Sequence, residues 1–291
     1  MPMAELASSE TKGRGQAPGG QAPGDQPRRL MLVTGASAGL GAAFARAYGQ
    51  RGWDLALVAR RADRLEALAR ELSTSHGIEA LAIAADLSLV EGHAPVLGAI
   101  TARGRVVDGL VNNAGFGIAH RFTGVPWERQ RDFLMTMVVN ACGLAYGVIP
   151  GMAQRGHGVI INVASVAGFS PGVAGNTLYP GVKSLAIKFS QALDAEYRAR
   201  GLRVTAVCPG FTKTEFGAVA GVQHIMDTEP RVFSQTAEEV VEAAIRANER
   251  GRVVVVPGWH NKLAVALMRG LPGPLVRAII SAGSAKYVLG D

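Results

Sequence analysis

Tyr179 and Lys183 stand four residues apart in the stretch LYPGVKSLAIKF, residues 178–189, and apolar residues continue at helical spacing through Val182, Leu185, Ala186 and Phe189. On a helix the phenol and the ammonium would lie one turn apart on the same side. A free phenol titrates near pH ~10 and is a poor base at neutral pH, but a neighbouring ammonium favours the phenolate. The pair can therefore give a proton to, or take one from, an oxygen placed beside it. The same spacing also describes an ordinary surface pair, so the surrounding chain must decide between the two.

The elements that would position this pair are legible in the hydropathy pattern. Short apolar runs lie near 30–34, 54–59, 79–84, 107–111, 158–163, 203–208 and 252–256; amphipathic runs lie near 39–51, 62–75, 88–102, 128–154, 177–200 and 236–250. Alternating strands and helices predict a parallel sheet with helices on both faces. Right-handed crossovers make it a Rossmann-type doubly wound α/β fold of about seven strands. The expected organisation is a leader rich in Gly, Pro, Gln and Ala at 1–28, disordered by composition, one catalytic domain at 29–256, and a C-terminal helical extension at 257–291.

In such a sheet, ligands bind beyond the carboxyl ends of the strands. After the first strand comes TGASAGLG, Thr34–Gly41. Its glycines at 35, 39 and 41 permit a tight turn and close backbone approach, and the helix that follows offers N–H groups to a pyrophosphate. After the second strand comes VARRADRL, with Arg60 and Arg61 where a cofactor with a free ribose 2′-hydroxyl would meet an acid. A planar guanidinium instead suits a 2′-phosphate, and Arg60 is favoured because it is nearer the strand end; a solvated helix-start arginine is the plain alternative. Asp86, after the third strand, can accept from an adenine amino group or simply cap a helix. After the fourth strand comes VNNAGFG, after the fifth INVASVAG with Ser165, and after the sixth CPGFTKT.

These motifs, in this order, resemble the short-chain dehydrogenase/reductase family: Thr34-Gly35-x3-Gly39-x-Gly41, Asn112-Asn113-Ala114-Gly115, Asn140, Ser165, Tyr179-x3-Lys183 and Pro209-Gly210, with 14 residues from Ser165 to Tyr179. The resemblance spans about 29–256. LALVARRADRLEALAREL and the tail VVVPGWHNKLAVALMRGLPGPLVRAII further resemble the bacterial DltE-like branch. Residues 180–182 depart from the family's small polar run with Pro-Gly-Val, and Ala38 stands where some NADP-using relatives carry a basic residue.

The resemblance implies an NADP(H)-dependent oxidoreductase, with NAD(H) the lesser cofactor, in which Tyr179 is the general acid/base, Lys183 favours the phenolate and holds the nicotinamide ribose, Ser165 holds the substrate oxygen, and Asn140 anchors a water in a relay to Lys183. It also implies a cofactor site of Gly35, Ser37, Gly39, Leu40, Gly41, Arg60, Asp86, Leu87, Asn113, Ala114, Gly115, Tyr179, Lys183, Pro209, Gly210, Thr212 and Thr214, and self-association through helix pairs. The segment after the sixth strand, 211–233, carries Phe216, Val219, Val222, Ile225 and Met226 with few fixed charges. It predicts an apolar lid and a small to medium apolar carbonyl or alcohol substrate. A relative that binds dinucleotide as a regulator, without turnover, is the competing expectation; such relatives usually lose the Tyr or the Lys.

Composition bounds the rest. The 291 residues, 48% hydrophobic, suffice for one large domain. Two cysteines, Cys142 and Cys208, make no disulfide framework, which fits a reducing, cytoplasmic setting. The six histidines show no metal-ligand spacing. The net charge is +7, with five basic residues against one acid in 251–291. No basic run with interleaved aromatics supports nucleic-acid binding, and no uninterrupted apolar run reaches the ~18–20 residues of a membrane span. The basic tail pairs two short apolar stripes (Trp259, Leu263, Leu267; Leu275, Val276, Ile279, Ile280) with Lys262, Arg269, Arg277 and Lys286. It is expected to pack on the protein or a second subunit, with weak contact to an anionic membrane surface as the alternative.

Overall fold

The computed structural model describes residues 28–172, 174–175, 177–215 and 234–284. The leader up to 27 and the lid residues 216–233 lie outside the described residues. Seven parallel strands form one sheet in the order β3-β2-β1-β4-β5-β6-β7: β1 Leu30–Thr34, β2 Asp54–Ala59, β3 Ala80–Ala84, β4 Gly109–Asn112, β5 Gly158–Val163, β6 Leu202–Val207 and β7 Val254–Val255. The order reverses between β1 and β4, so their carboxyl ends diverge and leave a crevice.

Side chains alternate across β1. Met31 and Val33 face one core with Phe44 of α1 (Gly39–Gln50), Leu65 and Leu72 of α2 (Ala62–His76), and Val240 and Ile245 from the helix after β6. Leu30 and Leu32 face the other with Val96 and Ile100 of α3 (His93–Thr101) and with residues of the helices flanking β5. Strands buried on both sides need no polar face, and this is why they read as continuous apolar runs.

Several boundaries differ from the sequence expectation. The helix expected from 88 starts at His93, because the Asp86 carboxylate accepts from the peptide N–H and the hydroxyl of Ser88 (2.9 and 2.8 Å) and holds a turn instead. The helix expected at 128–154 is helical from Trp127 to Arg155, but as α4 (Trp127–Leu134), a π-helical segment Met135–Val139, and α5 (Asn140–Arg155). It is long and apolar enough to cross a membrane by length and composition, yet Leu144, Val148 and Met152 of α5 pack on the sheet. The next helix, α6, runs Tyr179–Tyr197. Pro180 is its second residue, where a missing N–H leaves no helical bond unmade.

The helix after β6, α7 (Ala237–Glu249), opens with a capping box between Thr236 and Glu239. Beyond β7 come α8 (Trp259–Gly270) and α9 (Gly273–Ser284), separated by Pro272. Of the C-terminal stripes, Val276 is buried, but Trp259, Leu263, Leu267, Leu275 and Ile279 are exposed. It is Asn261 and Val265 that turn α8 inward.

Candidate active site

The crevice is braced by one threonine. Thr34, the last residue of β1, accepts on Oγ1 from the peptide N–H groups of Asn113 (2.9 Å) and Ala114 (3.0 Å) and donates to the Val111 carbonyl (3.2 Å). Asn113 returns the tie, its Nδ2 donating to the Thr34 carbonyl at 2.9 Å. The glycine turn and the Asn-Asn-Ala-Gly segment are thereby locked together across the switch point.

Within the turn, Gly35 has φ +66°, a conformation that disfavours a side chain. A methyl on Gly41 would run into the Gly35 carbonyl oxygen and the Asn113 amide. The N-cap of α1 is Ala38, whose side chain makes no capping bond, and the first turn carries no acid. Its leading N–H groups are left to the crevice, where an anion would complement the helix dipole.

At the end of β2, Arg61 lies against the glycine turn. Its Nε and one terminal nitrogen donate to Ser37 Oγ (3.2 and 3.0 Å), bringing the guanidinium onto the glycine turn. Arg60 is exposed and makes no ion pair among the described residues.

The carboxyl end of β5 gathers the other half. Ser165 caps the 3-10 turn Val166–Phe169, its hydroxyl accepting from Ala167 N–H at 3.1 Å, and bonds to Tyr179. Tyr179, the first residue of α6, lies against Phe133 with ring centroids 6.5 Å apart. Lys183 is buried; its Nζ donates to the Val163 carbonyl at 2.7 Å and lies 5.5 Å from the centre of the Tyr179 ring. A helix starting at Tyr179 does stack the ammonium and the phenol, as the spacing predicts.

Burial governs both groups. It pushes the Tyr179 phenol up to about 12, against the Ser165 hydroxyl, which lowers it. It brings the Lys183 ammonium down to about 8, with buried Cys208 acting in the opposite sense. The phenol is thus protonated at neutral pH, the form that donates.

Asn140 is fully buried, and its side chain is committed. Its Nδ2 donates to the carbonyls of Leu87 and Leu89 (both 2.8 Å), and its Oδ1 accepts from His93 N–H at 2.9 Å. It clamps the 87–93 loop to the start of α5. Between that start and Lys183 lies a cavity of about 30 Å³, room for a water. Asn112 and Thr136 line it, and Asn112 Oδ1 is a buried acceptor without a partner among the described residues.

The remaining expected residues ring the crevice. Leu87 is buried at the cavity wall. Gly115 sits against Met137. The Pro209 carbonyl accepts from Val166 N–H at 3.0 Å, and Gly210 abuts Asn261 of α8. Thr212 pairs with Gln235 in an isolated bridge, and Thr214 lies over Gly39. One feature lay outside the sequence expectation: Ile118, His120, Phe133 and Leu178 line a small hollow beside Tyr179. The apolar alternation of FGIAHRF after Asn-Asn-Ala-Gly was the available signal. Among the described residues, no three His, Cys, Asp or Glu side chains gather as a metal site.

A parallel sheet with a glycine turn at its switch point and a Ser–Tyr–Lys cluster at the neighbouring strand end defines a dinucleotide-binding oxidoreductase. The chain belongs to the short chain dehydrogenase family, whose model matches residues 29–224. An uncharacterized oxidoreductase of Myxococcus xanthus is 31% identical over 250 residues, 86% of this chain and 95% of that protein. A short-chain dehydrogenase from Sphingobium yanoikuyae, solved in complex with NADPH, superposes with a TM-score of 0.73 at 32% identity, covering 84% of this chain and 96% of that one. The bulky-bulky ketone specific alcohol dehydrogenase from Comamonas testosteroni superposes with a TM-score of 0.70 at 30% identity, covering 85% and 96%. The protein is an NAD(P)-dependent short-chain dehydrogenase/reductase.

Proposed function

We propose that this enzyme uses NADP(H) to interconvert a carbonyl and a secondary alcohol on a small to medium apolar molecule. The observation that carries the chemistry is the convergence of Ser165, Tyr179 and Lys183 at the end of β5. The nicotinamide supplies or accepts hydride when bound. Ser165 holds the substrate oxygen, where charge develops. Tyr179, protonated in the resting site, delivers its proton to that oxygen in reduction and recovers one in oxidation. Lys183 orients the phenol and passes protons through a water in the adjoining cavity, with Asn112 Oδ1 as a further acceptor for that water. Asn140 acts by position: its clamp on the 87–93 loop fixes the cavity wall.

The cofactor reading is supported by Ser37 and Arg61, which present a hydroxyl and a fork of donors at the end of β2 with no acid on that strand end. The NADPH bound by the Sphingobium relative supports the same reading. The substrate reading is supported by Ile118, Phe133 and Leu178 in the hollow beside Tyr179, among His120, Gln130 and Thr177, and by the ketone specificity of the Comamonas relative.

The test is cofactor oxidation with a panel of ketones graded in bulk, run with NADPH and NADH. Turnover should favour NADPH. Tyr179→Phe should lose at least about a hundredfold in kcat, since general acid catalysis typically contributes 10²–10⁴, while NADPH affinity stays close to wild type. Turnover of Tyr179→Phe within tenfold of wild type would remove Tyr179 from the reaction. A chain that binds NADPH but turns over none of the panel would favour the regulator.

A further inference from the structure

The donors that suit a 2′-phosphate are already engaged by an anion from the chain itself. Arg61, held on Ser37, points a terminal nitrogen at Glu215 Oε2 (3.2 Å). Arg64, one turn along α2, donates to both oxygens of the same carboxylate (2.9 and 3.0 Å). Glu215 follows Thr214, and a Cβ placed on Gly39 of the glycine turn would meet the Thr214 Cβ at 3.1 Å. Thr214 and Glu215 therefore lie on the phosphate-binding turn, and the Glu215 carboxylate sits between two guanidiniums beside Ser37.

We propose that Glu215 is an internal competitor for the 2′-phosphate, occupying Arg61 and Arg64 in the free enzyme and yielding them when NADP(H) binds. This rests on the NADP(H) reading above. The chemistry favours exchange. A carboxylate carries one negative charge, whereas a phosphate monoester carries close to two near neutral pH and offers three acceptor oxygens. The ion pairs to be broken are weak ones, because the side chains of Arg61, Arg64 and Glu215 are 42%, 46% and 51% exposed. The two arginines hold the Glu215 carboxyl below its usual range, so it remains an anion throughout the working pH range.

The arrangement assigns Arg64 a part that the sequence motif does not suggest, as the second guanidinium of the phosphate site. It also makes discrimination sharper than two arginines alone would. NAD(H), with a 2′-hydroxyl, cannot displace the carboxylate from its partners and gains nothing from them.

Adenosine 2′,5′-bisphosphate and adenosine 5′-monophosphate isolate this part of the cofactor. Their binding to the full chain, measured by calorimetry for wild type, Glu215→Gln and Arg64→Met, tests the proposal. Glu215→Gln should tighten the bisphosphate about three- to tenfold, the scale of two exposed ion pairs, and leave the monophosphate unchanged. Arg64→Met should weaken the bisphosphate alone, and in that background Glu215→Gln should gain less. Bisphosphate affinity that is unchanged or weaker in Glu215→Gln overturns the competitor and makes Glu215 a support for the arginines. A wild type that binds both nucleotides equally overturns the NADP(H) reading itself, which separates the two failures. Glu215 is exposed on a turn, so the variant's fold is not at risk.

Discussion

Lys183 places an ammonium in the core with one strong partner, the Val163 carbonyl, and that placement has a thermodynamic signature. Burial lowers its pKa from 10.5 to about 8. The unfolded chain therefore keeps its proton up to about pH 10.5, while the folded protein gives it up above about 8. Between those values the unfolded state binds more protons, so this residue's contribution to stability rises with pH. Below pH 8 the full cost of burying the charge is present. Lys183→Met should consequently raise stability at pH 7 by about 1–3 kcal/mol, the upper figure being the whole shift and the lower allowing for the Val163 carbonyl left without its donor. The advantage over wild type should close between pH 8 and 10.5. Chemical denaturation of the two proteins across that range measures it, and a variant less stable than wild type at pH 7 would mean the Val163 bond outweighs burial. Activity should be lost in the same variant, as expected where stability and catalysis draw on one residue in opposite directions.

The strand–turn–helix elements were the most legible part of the chain. Thr34, Gly35, Gly39 and Gly41 lie where the motif places them, because a parallel strand feeding a helix allows one tight geometry. Gly41→Ala tests it: the added methyl meets the Gly35 carbonyl, a backbone atom that cannot swing aside. Overpacking of this kind costs typically ~1–3 kcal/mol. The thermal midpoint and NADPH affinity should fall together, and a variant that loses neither would mean the turn has room the structure does not show. Where the sequence left a choice open, the contact that bears on it is non-local. Arg60 and Arg61 are indistinguishable as a dipeptide, and it is Arg61 that meets Ser37, 24 positions earlier. Asn140 is expected to anchor a water in a relay to Lys183; its side-chain amide holds Leu87, Leu89 and His93, contacts that no local pattern reveals. The π segment Met135–Val139 was likewise invisible, since the apolar periodicity of 128–154 runs through it unbroken.

At the scale of the molecule, α8 is attached by one face. Asn261 donates to Gln235 Oε1 (3.0 Å) and to the Pro257 carbonyl (2.9 Å), and it packs on Gly210 at the rim of the active site. The opposite face leaves Trp259 65% exposed, with Leu263 and Leu267 beside it. Deleting 259–291 should lower the melting temperature by several degrees, because it removes Asn261 and Val265 from the rim. Replacing Trp259, Leu263 and Leu267 together by Ser should leave the midpoint nearly unchanged, surface substitutions being worth about ±0.5 kcal/mol each. It should instead abolish any self-association or sedimentation with anionic vesicles that the intact chain displays. A triple variant that melts like the deletion would place this face inside the fold. The strand order carries a different consequence, for how the chain is made. Synthesis runs from the N-terminus. β2 and β3 add successively to one side of β1, and β4, β5, β6 and β7 add one after another to the other side. No strand has to be inserted between two already paired, so the sheet can be laid down in the order the ribosome delivers it. From β4 onward each new strand covers the edge left by the one before it, until β7, two residues long, leaves an edge too short to recruit a neighbour; on the other side β3, five residues long, remains the sheet edge.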